Sequence, residues 1–263
     1  MNTGRLASVF SRIEPLADYA PTDFEITQLS GYTNENYHLR NENQDWVLRI
    51  PRAQTNPHID RPAEAHNQRL AAGLGIAPTP AWRDDDGMSL TATIRPGKTM
   101  VADDLRDPRR RAQVIEPLRR LHRSGLQFRG RVEPGPLIDH YQALLPRSRR
   151  SEFAARVRAA GLLWPQVQDR DGDYVPSHND PVLSNLLRGH DRVWLIDWEF
   201  SAMASPCWDL ATLCNAAQLD YADSRALLAD YCADGAQVEE SLLFDYRNLL
   251  KLLTDIWTAA LVE

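Results

Sequence analysis

The most informative stretch of the chain is Ser177-His178-Asn179-Asp180-Pro181-Val182-Leu183-Ser184-Asn185, read together with Leu195-Ile196-Asp197-Trp198-Glu199 just after it. Asn185 stands five positions after Asp180, and Asp197 twelve after Asn185, at the end of the short apolar run 193–196. Taken singly these residues are ordinary. Asp180-Pro181 is a plausible turn, and a carboxylate often closes a strand. Their joint occurrence with His178 points to one chemistry. Phosphoryl transfer from a nucleoside triphosphate needs a carboxylate that orients the acceptor hydroxyl and takes its proton. It also needs an amide oxygen and a second carboxylate that hold magnesium on the phosphates. The spacing matches that division of labour, with Asp180 as base and Asn185 and Asp197 as metal ligands. All three are hard oxygen donors, as magnesium prefers. His178 would brace the loop through hydrogen bonds.

Upstream of this stretch the chain reads as strands and turns. Residues 24–29 roughly alternate apolar and polar side chains, and 37–40 and 46–50 are short β-type runs around the all-polar segment 41–45, a hairpin pattern. Residues 63–74 are helix-like and stop at Gly75, and 90–94 is another strand candidate before Pro96-Gly97. Downstream the pattern is mainly helical. Ala112, Ile115, Leu118 and Leu121 recur at helical spacing, with Pro117 expected to start or kink a segment. Residues 153–160, 224–232 and 239–262 continue the series. The outline is an α+β chain with a small β-rich N-terminal lobe, residues 1–96, and a larger mainly helical C-terminal lobe, residues 97–263.

Composition narrows the class of partner. The chain has 263 residues, 43% hydrophobic and 25% charged, and a formal charge of −6. That is globular composition, and its acidic balance argues against a nucleic-acid binder. No apolar run approaches the roughly 18 residues of a membrane span, and the first 21 residues show no signal-peptide core. A cytoplasmic protein without membrane insertion is expected, its oligomeric state left open. Cys207, Cys214 and Cys232 lack metal or disulfide spacing and read as unreactive thiols. Gly97-Lys98-Thr99 mimics the tail of a phosphate-binding Walker motif, but position 92 is Ala92 where a glycine is required. It is expected to be a turn. A metal-dependent hydrolase is disfavoured because the histidines lack ligand spacing.

The chain resembles the choline kinase branch of the aminoglycoside phosphotransferase and choline kinase superfamily, which has a protein-kinase-like two-lobe fold. The resemblance rests on His178-Asn179-Asp180 with Asn185, on Ile196-Asp197-Trp198-Glu199 and on Pro206-Cys207-Trp208-Asp209-Leu210-Ala211. In the first lobe it rests on Gly31-Tyr32-Thr33-Asn34-Glu35-Asn36-Tyr37, on Val47-Leu48-Arg49-Ile50-Pro51, and on Ile59-Asp60-Arg61 with Glu64 and Asn67. Leu253-Thr254-Asp255-Ile256-Trp257 resembles the branch's closing aromatic helix, and the match is weakest over residues 103–175. Branch members often continue past that helix, whereas this chain ends at Glu263.

This resemblance implies ATP and Mg2+ as cofactors. Ser30, Gly31, Thr33 and Asn34 would cover the phosphates, Arg49 would contact them, and Glu64 would pair with Arg49. Ile94 would lie in the hinge that binds adenine. His122 is implied to be structural, and Asp209 to support the catalytic loop from a helix start. The acceptor would be a small cationic alcohol, choline first, with aromatic faces recognising a trimethylammonium group. Trp198, Glu199, Trp208 and Trp257 are the substrate-binding candidates, while Trp164 and Phe244 read as core. Thiamine and ethanolamine kinases follow, then an aminoglycoside-type enzyme, then a catalytically silent kinase-like binding protein.

Overall fold

The computed structural model describes residues 3–31, 33–54, 56 and 59–261. Tyr32, part of the expected phosphate loop, lies outside the described residues. The chain forms two compact units, Met1–Lys98 with Leu187–Glu199, and Thr99–Leu186 with Phe200–Glu263. This division differs from a split at residue 96, because 187–199 folds back with the N-terminal unit.

The first unit opens with helix α1 (Thr3–Phe10), followed by strands β1 (Glu25–Leu29), β2 (Asn34–Arg40) and β3 (Asp45–Pro51). Helix α2 (Arg61–Gly73) comes next, then β4 (Trp82–Arg83), β5 (Ser89–Ala92) and β6 (Pro96–Thr99). The strands form a five-stranded sheet in the order β1-β2-β3-β5-β4, with β2 and β3 paired antiparallel from Asn34↔Pro51 to Arg40↔Asp45. Side chains alternate across a strand. Leu48 and Ile50 therefore enter a core with Leu39, Leu90 and the α1 residues Leu6, Val9 and Phe10. Arg49 between them faces the other way. In α2, Asp60 caps the N-terminus by accepting from the Ala63 N–H at 2.9 Å. Buried Glu64, Asn67 and Ala71 then fall on one face of the helix. Gly75, at φ 71°, follows the helix, the left-handed geometry that favours glycine at a helix end.

The second unit contains α3 (Ala102–Arg106), α4 (Pro108–His122), α5 (Pro134–Leu144), α6 (Arg150–Gln168) and strand β7 (Val175–Ser177). Strands β8 (Leu186–Gly189) and β9 (Val193–Leu195) then join β6 in a three-stranded sheet, and the Leu195 N–H donates to the Ile76 carbonyl at 2.8 Å. These bonds are why 187–199 belongs with the first unit. They also correct the turn expected at Gly97-Lys98-Thr99, which is strand. The chain closes the second unit with β10 (Ala202–Ala204), α7 (Pro206–Ala216), α8 (Tyr221–Cys232) and α9 (Glu240–Leu261). β10 pairs antiparallel with β7 through Ala202↔Ser177. Pro117 sits inside α4 rather than at its start. Among the described residues, no helix is long and apolar enough to cross a membrane.

Candidate active site

In the second unit, β7 ends at Ser177 and releases the loop that carries His178, Asn179 and Asp180. Asn179 takes φ 65°, a left-handed conformation that asparagine tolerates better than most residues. Asp209, in the first turn of α7, holds the loop there. Its Oδ1 accepts from the Asn179 N–H at 2.7 Å and its Oδ2 from the His178 N–H at 2.9 Å. The Asn179 side-chain amide donates to the Phe200 carbonyl, and the Trp208 indole N–H donates to the Asn179 carbonyl, both at 2.9 Å. Ser205 caps α7, with Pro206 next, so the helix start that bears Asp209 is itself fixed. Asp209 thus supports the loop, as the resemblance implied.

Behind Asp209 lies a second tier. His122 Nε2 meets Asp209 Oδ2 at 2.9 Å, and His122 Nδ1 meets the Tyr231 hydroxyl at 2.8 Å. All three residues are buried. Burial, and then the charge of Asp209, raise the Tyr231 phenol well above its ordinary value, so it stays neutral. His122 therefore reaches the loop only through Asp209. Tyr231 had no sequence signal beyond helical periodicity.

Asn185 folds back on Asp180. Its amide nitrogen donates to the Asp180 carbonyl and to Asp180 Oδ2, both at 2.9 Å. With the amide hydrogens committed, the Asn185 carbonyl oxygen is what this side chain has to offer a cation. The Asp180 N–H donates to His178 Nδ1 at 3.3 Å, so His178 bonds directly to the loop.

In the first unit, the expected partners Arg49 and Glu64 do pair: Arg49 Nη2 donates to Glu64 Oε1. Arg49 Nη1 donates to Asp197 Oδ1 at 3.2 Å, while its buried Nε makes no hydrogen bond. Glu64 is fully enclosed and also faces Arg61 and Arg83, each at 2.7 Å. Burial alone would push its carboxyl up, but Arg49, Arg83 and Arg61 hold it below its ordinary value. Asp197 takes φ 63° and keeps 29% of its side chain exposed. Crowding by protein, then Glu199, push its carboxyl up to about 7, against the pull of Arg49. Asp197 in the first unit offers a carboxylate and Asn185 in the second an amide oxygen, each a hard donor of the kind magnesium takes. Among the described residues no group of three or more His, Cys, Asp or Glu side chains could hold a metal by itself.

The described residues of the loop at 30–34 are buried only toward its C-terminal end. Ser30 and Gly31 are exposed and Thr33 and Asn34 buried. A Cβ at Gly31 would come within 2.5 Å of the Asn34 carbonyl oxygen, so only glycine fits that turn. The Asn34 amide nitrogen donates to Thr33 Oγ1 and Glu199 Oε2, both at 3.0 Å. Ile94 is half-buried, just past β5.

Two substrate expectations are corrected. Trp198 is 0% exposed, and its indole N–H donates to the Leu195 carbonyl at 3.0 Å. It is a core residue with no face left for a cation. Glu199 has a side chain only 2% exposed, paired with Arg61 at 3.3 Å, so its charge is already matched. Trp208 and Trp257 are half-buried and retain accessible ring surface.

One unit built on a small antiparallel sheet with a buried Arg–Glu pair, and a second, mainly helical unit with a pinned Asp–Asn loop, define a protein of the kinase-like fold class. The solved structures agree. A choline/ethanolamine kinase family protein from Mesorhizobium loti superposes with a TM-score of 0.80 and 28% identity, over 98% of this chain and 85% of that one. Choline kinase LicA from Streptococcus pneumoniae gives a TM-score of 0.85 at 23% identity, over 98% and 89%. The chain belongs to the phosphotransferase enzyme family (APH), which it matches over residues 25–249. It is also 32% identical over 212 residues to a protein LicA of Haemophilus influenzae, covering 79% of this chain and 62% of that protein.

Proposed function

We propose that the protein is an ATP- and magnesium-dependent kinase that phosphorylates the hydroxyl of a small cationic alcohol, choline first. The observation that carries this reading is the residue 178–185 loop, with the Asp180 and Asn185 side chains hydrogen-bonded to each other and the His178 and Asn179 amides held by Asp209. The substrate class is supported by the relatives, a choline kinase and a choline/ethanolamine kinase family protein among them.

In this reading Asp180 orients the acceptor hydroxyl and takes its proton as the oxygen bonds to the γ-phosphorus. The bond from that phosphorus to the β,γ-bridging oxygen breaks in line, and ADP leaves. Asn185 and Asp197 would hold magnesium, which when bound offsets charge on the triphosphate. Arg49, kept charged by Glu64, adds to that field, and the residue 30–34 backbone covers the phosphates. Trp208 and Trp257 are the aromatic faces proposed for the cation, each good contact contributing about 0.5–2 kcal/mol.

A coupled assay of ADP release across choline, ethanolamine, thiamine and kanamycin tests the reading. Choline should give the highest kcat/KM. Absence of choline turnover above background would overturn the substrate assignment, and a preference for ethanolamine would move it within the same class.

A further inference from the structure

We propose that Arg61 is a positioning residue of the nucleotide site: with Glu199 it holds Asn34, and so the phosphate-covering loop, in register with the segment that carries Asp197. The inference rests on the kinase reading above.

The observations all lie in the first unit. Arg61 is buried, and its guanidinium fork serves four side chains. Its Nε donates to Asn56 Oδ1 at 2.7 Å and its Nη1 to Glu64 Oε2 at 2.7 Å. Nη1 also reaches Glu199 Oε2 at 3.3 Å, and Nη2 reaches Asn34 Oδ1 at 3.4 Å. The Asn34 amide nitrogen donates to the same Glu199 oxygen at 3.0 Å. One cation therefore ties together the loop, the first turn of α2 and the chain two residues past Asp197. Gly87 makes room for it. At φ 90° it has no side chain, and a Cβ there would stand 2.5 Å from Arg61 Cδ.

The physical need is plain. The described residues of the loop are glycine and short side chains, which have little packing of their own to hold it over a phosphate. Asn34 is its buried end, and an amide fixed at both its oxygen and its nitrogen cannot rotate. Glu199 buried without Arg61 would be an uncompensated charge. A lysine at 61 keeps the charge and loses the fork.

The test compares Arg61→Lys and Glu199→Gln with wild type, reading KM for ATP, KM for the alcohol, kcat and ATP binding by calorimetry. Thermal melting checks that each variant is folded. Arg61→Lys should raise the KM and Kd for ATP about tenfold, the worth of one charge-assisted hydrogen bond. Glu199→Gln should move both in the same direction by less, and the alcohol KM should stay within about twofold of wild type. Should Arg61→Lys fail to fold, Glu199→Gln, which keeps its volume and an oxygen for Asn34, carries the test. Unchanged ATP binding in a folded variant overturns the proposal. So does a rise in alcohol KM alone, which would return Glu199 to the substrate. Calorimetry needs no alcohol, so a wild type that binds ATP but turns over none of the alcohols overturns the substrate reading and leaves this test standing.

Discussion

Asn179 and Asp197 each hold a backbone conformation that side chains seldom adopt, with φ 65° and 63°. Such residues persist only where surrounding bonds over-determine them, at about 1–3 kcal/mol each. For Asn179 the bonds are those of Asp209, Phe200 and Trp208; for Asp197 they include Arg49. Asp180 is different in kind, because the role proposed for it is chemical. Asp180→Ala should lower kcat by about 10²–10⁴-fold, while ATP binding measured by calorimetry is kept. Glu64 is an ionic case. Its carboxyl is held below the ordinary value of 4.5, so it contributes stability that is complete above that value and is lost as pH falls through the folded-state value. Glu64→Gln should therefore destabilise at pH 7, by about 3–5 kcal/mol for a broken buried pair. The gap to wild type should close in acid below pH 4.5, read from urea midpoints across pH. A gap that widened in acid would contradict the pairing.

Among the elements, the β2–β3 hairpin and α2 were legible in advance, because apolar alternation and a Gly75 stop are local signals. Helix α1 was not, since its three core residues mean nothing until a sheet is there to receive them. Pro117 left two local readings open, a helix start or a kink: proline removes one backbone donor and disfavours a helix interior, and α4 runs across it with Val114, Ile115, Leu118 and Leu121 in the core. The start of α7 is the element on which the catalytic loop rests. Asp209→Ala strips acceptors from two loop amides and from His122. It should cost about 3–5 kcal/mol and lower kcat with it, checked by denaturation and turnover on the same preparation. Tyr231→Phe, one bond further out, should cost only about 1 kcal/mol.

For the molecule as a whole, the proposed magnesium is expected to come with ATP rather than to hold the fold together. Chelation with EDTA should abolish turnover and leave thermal stability unchanged in the absence of ATP, as followed by circular dichroism. A large fall in melting temperature on chelation would instead reveal a structural metal. The excess of six carboxylates behind the charge of −6 stands beside many exposed ion pairs, such as Arg156–Asp255 and Arg225–Glu240. These contribute little individually to stability. Glu199, the acidic residue first read as a substrate contact, is balanced inside the first unit.

The local sequence pointed to the fold class and, by their spacing, to Asp180, Asn185 and Asp197 as the candidate chemical set, while Arg49 and Glu64 entered through the family resemblance. It also marked Asp209 at its helix start. Burial and pairing in the fold place Trp198 in the core, join Glu199 to Arg61 and Asn34, and set His122 and Tyr231 behind Asp209. The physical reason is range. A catalytic spacing is a local property of the chain, whereas burial and ion pairing depend on residues far apart in sequence. Glu199 lies 138 positions from Arg61 and 165 from Asn34, and no local pattern records such a meeting.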